Sequence, residues 1–137
     1  MLDDLRATAD SGVPDAPILI VEDDPGAVEV FEHMLKARGY SVRVALDAPS
    51  GLTEVGHAVP AAVLLDLRLP TADGLEFLRC LRATVPYAHV PVAVVTGDLF
   101  VEEWVARELE TLGAQIHFKP LWEEDVMRIV QDLLTGA

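Results

Sequence analysis

Two textures alternate along the chain. Short runs of apolar residues occur at Ile18–Val21, Val42–Ala45, Ala62–Leu65, Val92–Val95 and Gln115–Phe118. Each is too short for a stable helix, so each predicts a buried strand. Between them lie longer segments with apolar residues three and four apart, the spacing of one helical face. Val28, Phe31 and Leu35 mark the first helix, with Asp24 and Pro25 as its N-cap and first helical residue and Gly39 as its stop. Pro49–Val55 predicts the second, although Gly51 and Gly56 weaken it. Phe77, Leu78 and Leu81 mark the third. Val101, Trp104, Val105 and Leu109 mark the fourth, which Gly113 ends. Val126, Ile129, Val130 and Leu133 mark the fifth.

Strands that are apolar throughout and alternate with helices imply a parallel sheet covered on both faces. The expected class is therefore α/β: a doubly wound, five-stranded parallel sheet in the flavodoxin-like order 2-1-3-4-5, with helices on both faces. Residues 1–17 hold Asp3, Asp4, Asp10, Pro14 and Pro17 without a sustained apolar pattern. They predict a flexible acidic N-terminal arm ahead of one domain over 18–137. The last helix runs almost to Ala137, from which no output domain is expected.

At 137 residues and 51% hydrophobic composition, the chain suits one compact domain with a real core. No apolar run is long enough for a membrane span, and no basic start leads into an apolar stretch as in a signal peptide. A soluble, cytoplasmic protein is expected. The formal net charge of −13 repels phosphate backbones and anionic lipids, which argues against nucleic-acid and membrane partners. Cys80 is the single cysteine, so an intrachain disulfide and a multi-cysteine zinc site are excluded; beside Phe77, Leu78 and Leu81 it reads as a buried small hydrophobe. His33, His57, His89 and His117 lack ligand spacing and read as structural or surface residues.

The candidate chemistry lies at strand ends. Ile18–Val21 runs into Glu22, Asp23 and Asp24, and Ala62–Leu65 runs into Asp66. In the 2-1-3-4-5 order the first and third strands are neighbours, and ligands bind beyond the carboxyl ends of such strands. Glu22, Asp23 and Asp66 would converge there. Their mutual repulsion calls for a hard divalent cation, and all-oxygen ligands with room for water favour Mg²⁺. Asp24 alone reads as a helix cap. The fourth strand ends in Thr96 and Gly97, a hydroxyl donor and a residue that lets a ligand approach the backbone. The fifth ends in Lys119 and Pro120, placing a compact positive charge near the acids across a candidate cis bond.

From about Ile18 to Leu134 the chain resembles the receiver domains of two-component response regulators. ILIVEDDP, LLDLRLPTADGLEFLRCLR, VAVVTG and FKP carry the resemblance, in order and at the family's spacing. The resemblance implies that Asp66 is the phosphoacceptor, that Asp23 ligates the metal directly with Glu22 beside it, and that the backbone carbonyl of Arg68 is a further ligand. It implies that Thr96 is the switch hydroxyl and Lys119 the phosphate-pairing lysine, and that Pro70 and Gly74 form the loop and helix start after the acceptor. The implied function is phosphoryl transfer from a sensor histidine kinase or a histidine phosphotransfer protein to Asp66 with Mg²⁺. The signal would pass through contacts with a downstream protein target, the domain catalysing only its own phosphorylation and dephosphorylation. Homodimer formation is left open.

Several positions depart from the family pattern. Ile116, three residues before Lys119, stands where many receivers carry Tyr or Phe, so the usual inward swing of a ring is not available. The stretch from Thr96 to Gly113 is longer than usual and holds Leu99, Phe100 and Trp104, which read either as helix core or as a partner-binding patch. Arg68 and Asp98 each lie two residues beyond a site residue. They are expected to pair across the cleft and to hinder water attack on the phosphorylated aspartate. Two other classes stay in view. A Mg²⁺-dependent phosphatase also uses a strand-end aspartate, but usually with a second acid two residues later, where this chain has Arg68. A pseudo-receiver acting purely as an interaction module normally has a degraded site, whereas Glu22, Asp23, Asp66, Thr96 and Lys119 are all present. A nucleotide-binding flavodoxin-like protein is disfavoured by the absence of a Gly-rich loop after the first strand.

Overall fold

The structure is a computed structural model and describes residues 13–69, 73–98 and 100–136. Most of the expected N-terminal arm, together with Pro70 and Leu99, lies outside the described residues. Five strands alternate with five helices: β1 (Ile18–Val21), α1 (Pro25–Ala37), β2 (Val42–Ala45), α2 (Ala48–His57), β3 (Ala62–Leu65), α3 (Gly74–Ala83), β4 (Val92–Thr96), α4 (Glu103–Thr111), β5 (Gln115–Phe118) and α5 (Glu123–Thr135). All strand pairs are parallel and the order is β2-β1-β3-β4-β5, as expected.

The central strands show why the apolar runs are continuous. Successive side chains of a strand point to opposite faces, and both faces here are covered. Leu19, Val21, Val63, Leu65, Val92 and Val94 enter one core with Phe77, Leu78 and Leu81 of α3, Val55 of α2 and Leu109 of α4. Ile18, Ile20, Ala62, Leu64, Ala93 and Val95 enter the other with Phe31 and Leu35 of α1 and Val126, Ile129 and Val130 of α5. The edge strands β2 and β5 are only partly covered, so the expectation of fully buried strands holds for β1, β3 and β4. Val13 packs on the α1–α5 side, and the Pro17 carbonyl accepts the Ala61 amide at 2.8 Å.

Local signals match the helix ends. Asp24 caps α1 through its carboxylate and the Gly26 amide, with Pro25 following. Gly39 and Gly113, after α1 and α4, take positive φ values of 93° and 80°. The second helix is longer than its glycines suggested, because Gly51 is required by packing. A Cβ on Gly51 would lie 2.8 Å from Cε1 of Phe77, so the missing side chain lets α2 approach α3. Two readings need correction. Cys80 is half-buried rather than buried. The fourth helix begins at Glu103, which leaves Val101 ahead of it and turns Trp104 outward, 55% exposed.

His117 on β5 is half-buried, and its Nε2 has no hydrogen-bond partner among the described residues. Burial, aided by the Arg128 guanidinium and opposed by Asp132, holds its pKa below the ordinary 6.5. A lowered histidine pKa means that the unfolded chain binds more protons between the two values. The contribution of His117 to stability is therefore complete above pH about 6.5 and is lost as the pH falls through the folded value. In urea titrations across this range, His117→Gln is expected to flatten the pH dependence relative to wild type. Parallel curves would contradict the assignment.

Candidate functional site

The sheet ladder runs past the strand ends and fixes the backbone of the site. The Glu22 amide donates to the Ala45 carbonyl at 3.0 Å, and the Asp66 amide to the Val21 carbonyl at 2.9 Å. The Lys119 amide donates to the Thr96 carbonyl at 2.9 Å. Three strand termini are thereby locked to their neighbours just where the sequence places its charged and hydroxyl groups. Behind Asp66, α3 starts unusually close. A Cβ on Gly74 would lie 2.5 Å from the Asp66 carbonyl oxygen, so glycine there lets the helix start press against the Asp66 backbone. Asp73 caps that helix, its carboxylate accepting the Glu76 amide at 3.0 Å.

Glu22, Asp23 and Asp66 each present a carboxylate oxygen within 4.8 Å of the others. Glu22 and Asp66 are buried and Asp23 faces solvent. Lys119 reaches in from the end of β5: its ammonium pairs with Glu22 and lies 3.9 Å from Oδ2 of Asp66. Burial and the neighbouring Asp66 carboxyl push the Glu22 pKa above its ordinary value, while Lys119 and the Asp24 amide pull it back. One ammonium among three carboxylates leaves the cluster short of positive charge. A hard divalent cation with oxygen ligands and retained waters fits this donor set, and the exposed side at Asp23 has room for those waters.

Thr96 is fully buried, and its Oγ1 accepts the Asp98 amide at 3.1 Å. Asp66 Oδ1 accepts the Arg68 amide at 3.2 Å. The expected partnership across the cleft is present: Arg68 donates from Nε at 2.9 Å and Nη2 at 2.5 Å to Oδ2 of Asp98. All six predicted site residues therefore gather at the carboxyl end of the sheet. Ile116, three residues before Lys119, is half-buried against the α2–α3–α4 core.

Residues 18–131 match the sequence profile of the response regulator receiver domain. The chain belongs to this family. The receiver is 39% identical over 89 residues to the response regulator MprA of Mycobacterium sp. (strain KMS), covering 65% of this chain and 38% of that protein. It is 32% identical over 125 residues to the transcriptional regulatory protein PrrA of Mycobacterium leprae, covering 91% and 52% respectively. The receiver thus spans about half or less of the length of these relatives. Among solved structures, the CheY-like receiver domain protein of Methanospirillum hungatei JF-1 superimposes with a TM-score of 0.80 at 25% identity, covering 88% of this chain and 94% of that one. The bacteriophytochrome response regulator AtBRR is 32% identical with a TM-score of 0.72, over 88% and 94% of the two chains.

One feature of the receiver site was not legible in the residues, and another was left between two readings. The first is the close approach of Gly74 to the Asp66 backbone. The other is the environment of Phe100 and Trp104, whose helix-core reading the structure overturns: Phe100 is 87% exposed beside the mouth of the site. A signal was available for Phe100, since it lies two residues after Asp98. That is the spacing of an Asx turn, and the Phe100 amide does donate to Asp98 Oδ1 at 3.0 Å.

The crowding of carboxylates predicts that Asp66→Asn stabilises the metal-free receiver. Removing one like charge from the cluster is expected to gain on the order of 1 kcal/mol, a rise of roughly 3 °C in Tm. Thermal unfolding in EDTA checks this. Added Mg²⁺ should narrow the gap by raising wild type more than the variant, and a variant less stable than wild type in EDTA would refute the repulsion.

Proposed function

We propose that this receiver accepts a phosphoryl group on Asp66 from a phosphohistidine, with Mg²⁺ held by Asp23, Asp66 and the Arg68 carbonyl and with Glu22 beside it. The observation that carries the proposal is the convergence on Asp66 of two further carboxylates, the Lys119 ammonium and the Thr96 residue at one end of the sheet. Bound Mg²⁺ would supply charge neutralisation on the phosphoryl oxygens. An Asp66 carboxylate oxygen attacks phosphorus in line. The P–N bond breaks with its electron pair passing to the imidazole nitrogen, and the product is an acyl phosphate. Lys119 takes its place beside an equatorial oxygen, and the Thr96 hydroxyl donates to another. The backbone amides near Leu67 and Gly97 are further donors. Water later hydrolyses the acyl phosphate.

In this proposal the chain is a signalling domain that catalyses only its own phosphorylation and dephosphorylation. Its phosphoryl donor is a sensor histidine kinase or a histidine phosphotransfer protein in the cytoplasm. It signals through protein contacts, with the exposed Phe100 and Trp104 as a candidate surface. Among the described residues no helix is long and apolar enough to cross a membrane. Arg68, two residues after the acceptor and paired with Asp98 before phosphorylation, shields the acyl phosphate from water. The phosphatase alternative is countered by the same pair, since the position two residues after Asp66 carries a guanidinium already bound to a carboxylate.

Intact-mass spectrometry after acetyl phosphate and Mg²⁺ tests the acceptor. Wild type is expected to gain the mass of one phosphoryl group and Asp66→Asn to gain none; no gain on wild type would defeat the proposal. Timing the loss of that mass tests the shield. Arg68→Ala is expected to lose it about threefold faster, the scale of one exposed ion pair. An unchanged or slower loss would remove Arg68 from that role.

A further inference from the structure

A chain of hydrogen bonds joins the acceptor to the exposed aromatic residues, and it passes through a single ion pair. Asp66 Oδ1 holds the Arg68 amide. The Arg68 guanidinium holds Asp98 Oδ2 through two donors, at 2.9 and 2.5 Å. The Asp98 amide donates to Thr96 Oγ1 at 3.1 Å, and Asp98 Oδ1 accepts the Phe100 amide at 3.0 Å. Asp98 therefore ties together the hydroxyl at the end of β4, the cation beside the acceptor and the backbone at Phe100. Beyond it, a cavity of about 100 Å³ is lined by Leu67, Arg68, Leu75, Val101, Trp104 and Val105. One wall of that cavity belongs to the acceptor loop and the opposite wall to the start of α4.

The ion pair is the breakable link. The Arg68 side chain is 61% exposed, and exposed pairs are weakly held. A phosphoryl group on Asp66 would add negative charge and three acceptor oxygens at a carboxylate that already holds the Arg68 amide, and the planar guanidinium fork of that residue matches phosphate geometry. The Thr96 hydroxyl would be drawn to the same oxygens. Both changes act on Asp98, one by removing its cation and the other by moving the oxygen that its amide engages. With Ile116 in place of a ring on β5, the β4–α4 side carries a connection that does not need an aromatic at that position.

We propose that the Arg68–Asp98 pair couples the acceptor to the Phe100–Trp104 surface: a phosphoryl group on Asp66 competes for the Arg68 guanidinium, and Asp98 then releases its hold on the backbone at Phe100. The proposal rests on Asp66 being the acceptor. Arg68 and Asp98 act in it as positioning residues, and the output is a rearrangement at the start of α4.

Trp104 and Trp122 are the two tryptophans of the chain, so Trp122→Phe leaves Trp104 as a single reporter. In that background, beryllofluoride with Mg²⁺ is expected to shift the Trp104 emission and change its quenching by acrylamide, whereas Mg²⁺ alone does not reproduce the shift. Asp98→Asn is the decisive variant, because it weakens the pair without altering the residues that line the cavity. It is expected to start near the shifted emission and to lose most of the response. Arg68→Lys, which keeps a cation, is expected to retain it. Mass gain from acetyl phosphate, measured on the same proteins, separates the two layers. If the parent gains no phosphoryl mass, the acceptor assignment fails. If the parent is phosphorylated but its Trp104 emission stays fixed, or Asp98→Asn responds as fully as the parent, the coupling is overturned.

Discussion

Like charges held close together govern this molecule. The parallel pairing of β1 with β3 aligns Val21 with Leu65, so the next residues, Glu22 and Asp66, must emerge side by side. Asp23 completes a cluster whose carboxylate oxygens lie within 4.8 Å of one another. Such an arrangement is unfavourable by itself. It persists because the two covered cores hold β1, β3 and β4 rigidly, and because Lys119 brings an ammonium across from β5. The stability of the cores is what allows an electrostatically strained edge to exist, and a divalent cation is the kind of group that would relieve it.

The surroundings of the cluster follow from the same geometry. Gly74 lets α3 start against the Asp66 backbone, which supports that backbone from behind. Gly51 allows α2 to close on Phe77 of α3, supporting that helix from its far side. At the mouth of the site the β3–α3 and β4–α4 loops meet through Arg68 and Asp98. The floor is fixed by the cores, whereas the mouth is joined by one solvent-exposed ion pair, the weaker of the two attachments.

Much of the fold was legible in the residues because the parallel sheet imposes a strong pattern. Strands buried on both faces must be apolar without interruption, and the helices between them must show a single apolar stripe. The pattern failed where local and tertiary demands diverge. The Gly51 and Gly56 of α2 look like helix breakers, yet Gly51 is required by a contact with a residue distant in sequence. Val101, Trp104, Val105 and Leu109 share a helical spacing, but the helix begins at Glu103, so Trp104 is exposed and only Leu109 of that helix is buried. The edge strands β2 and β5 carry charged or polar residues along their length, where β1, β3 and β4 are apolar up to Thr96 at the end of β4, since water reaches the edges.

The sequence by itself determined the α/β class and the identity of the chemical groups at each strand end, because burial and periodicity are properties of the residues in order. It also carried the membership of the receiver family, through motifs at fixed spacing. Only the tertiary structure decided how Lys119 divides its charge between Glu22 and Asp66, which glycines are spacers, and which aromatics face solvent. It likewise showed that Arg68 and Asp98, expected as partners, form one continuous chain of bonds from Asp66 to Phe100. Those features depend on distances between residues far apart in the chain. Such distances are set by how the elements pack against one another, and no local pattern encodes them.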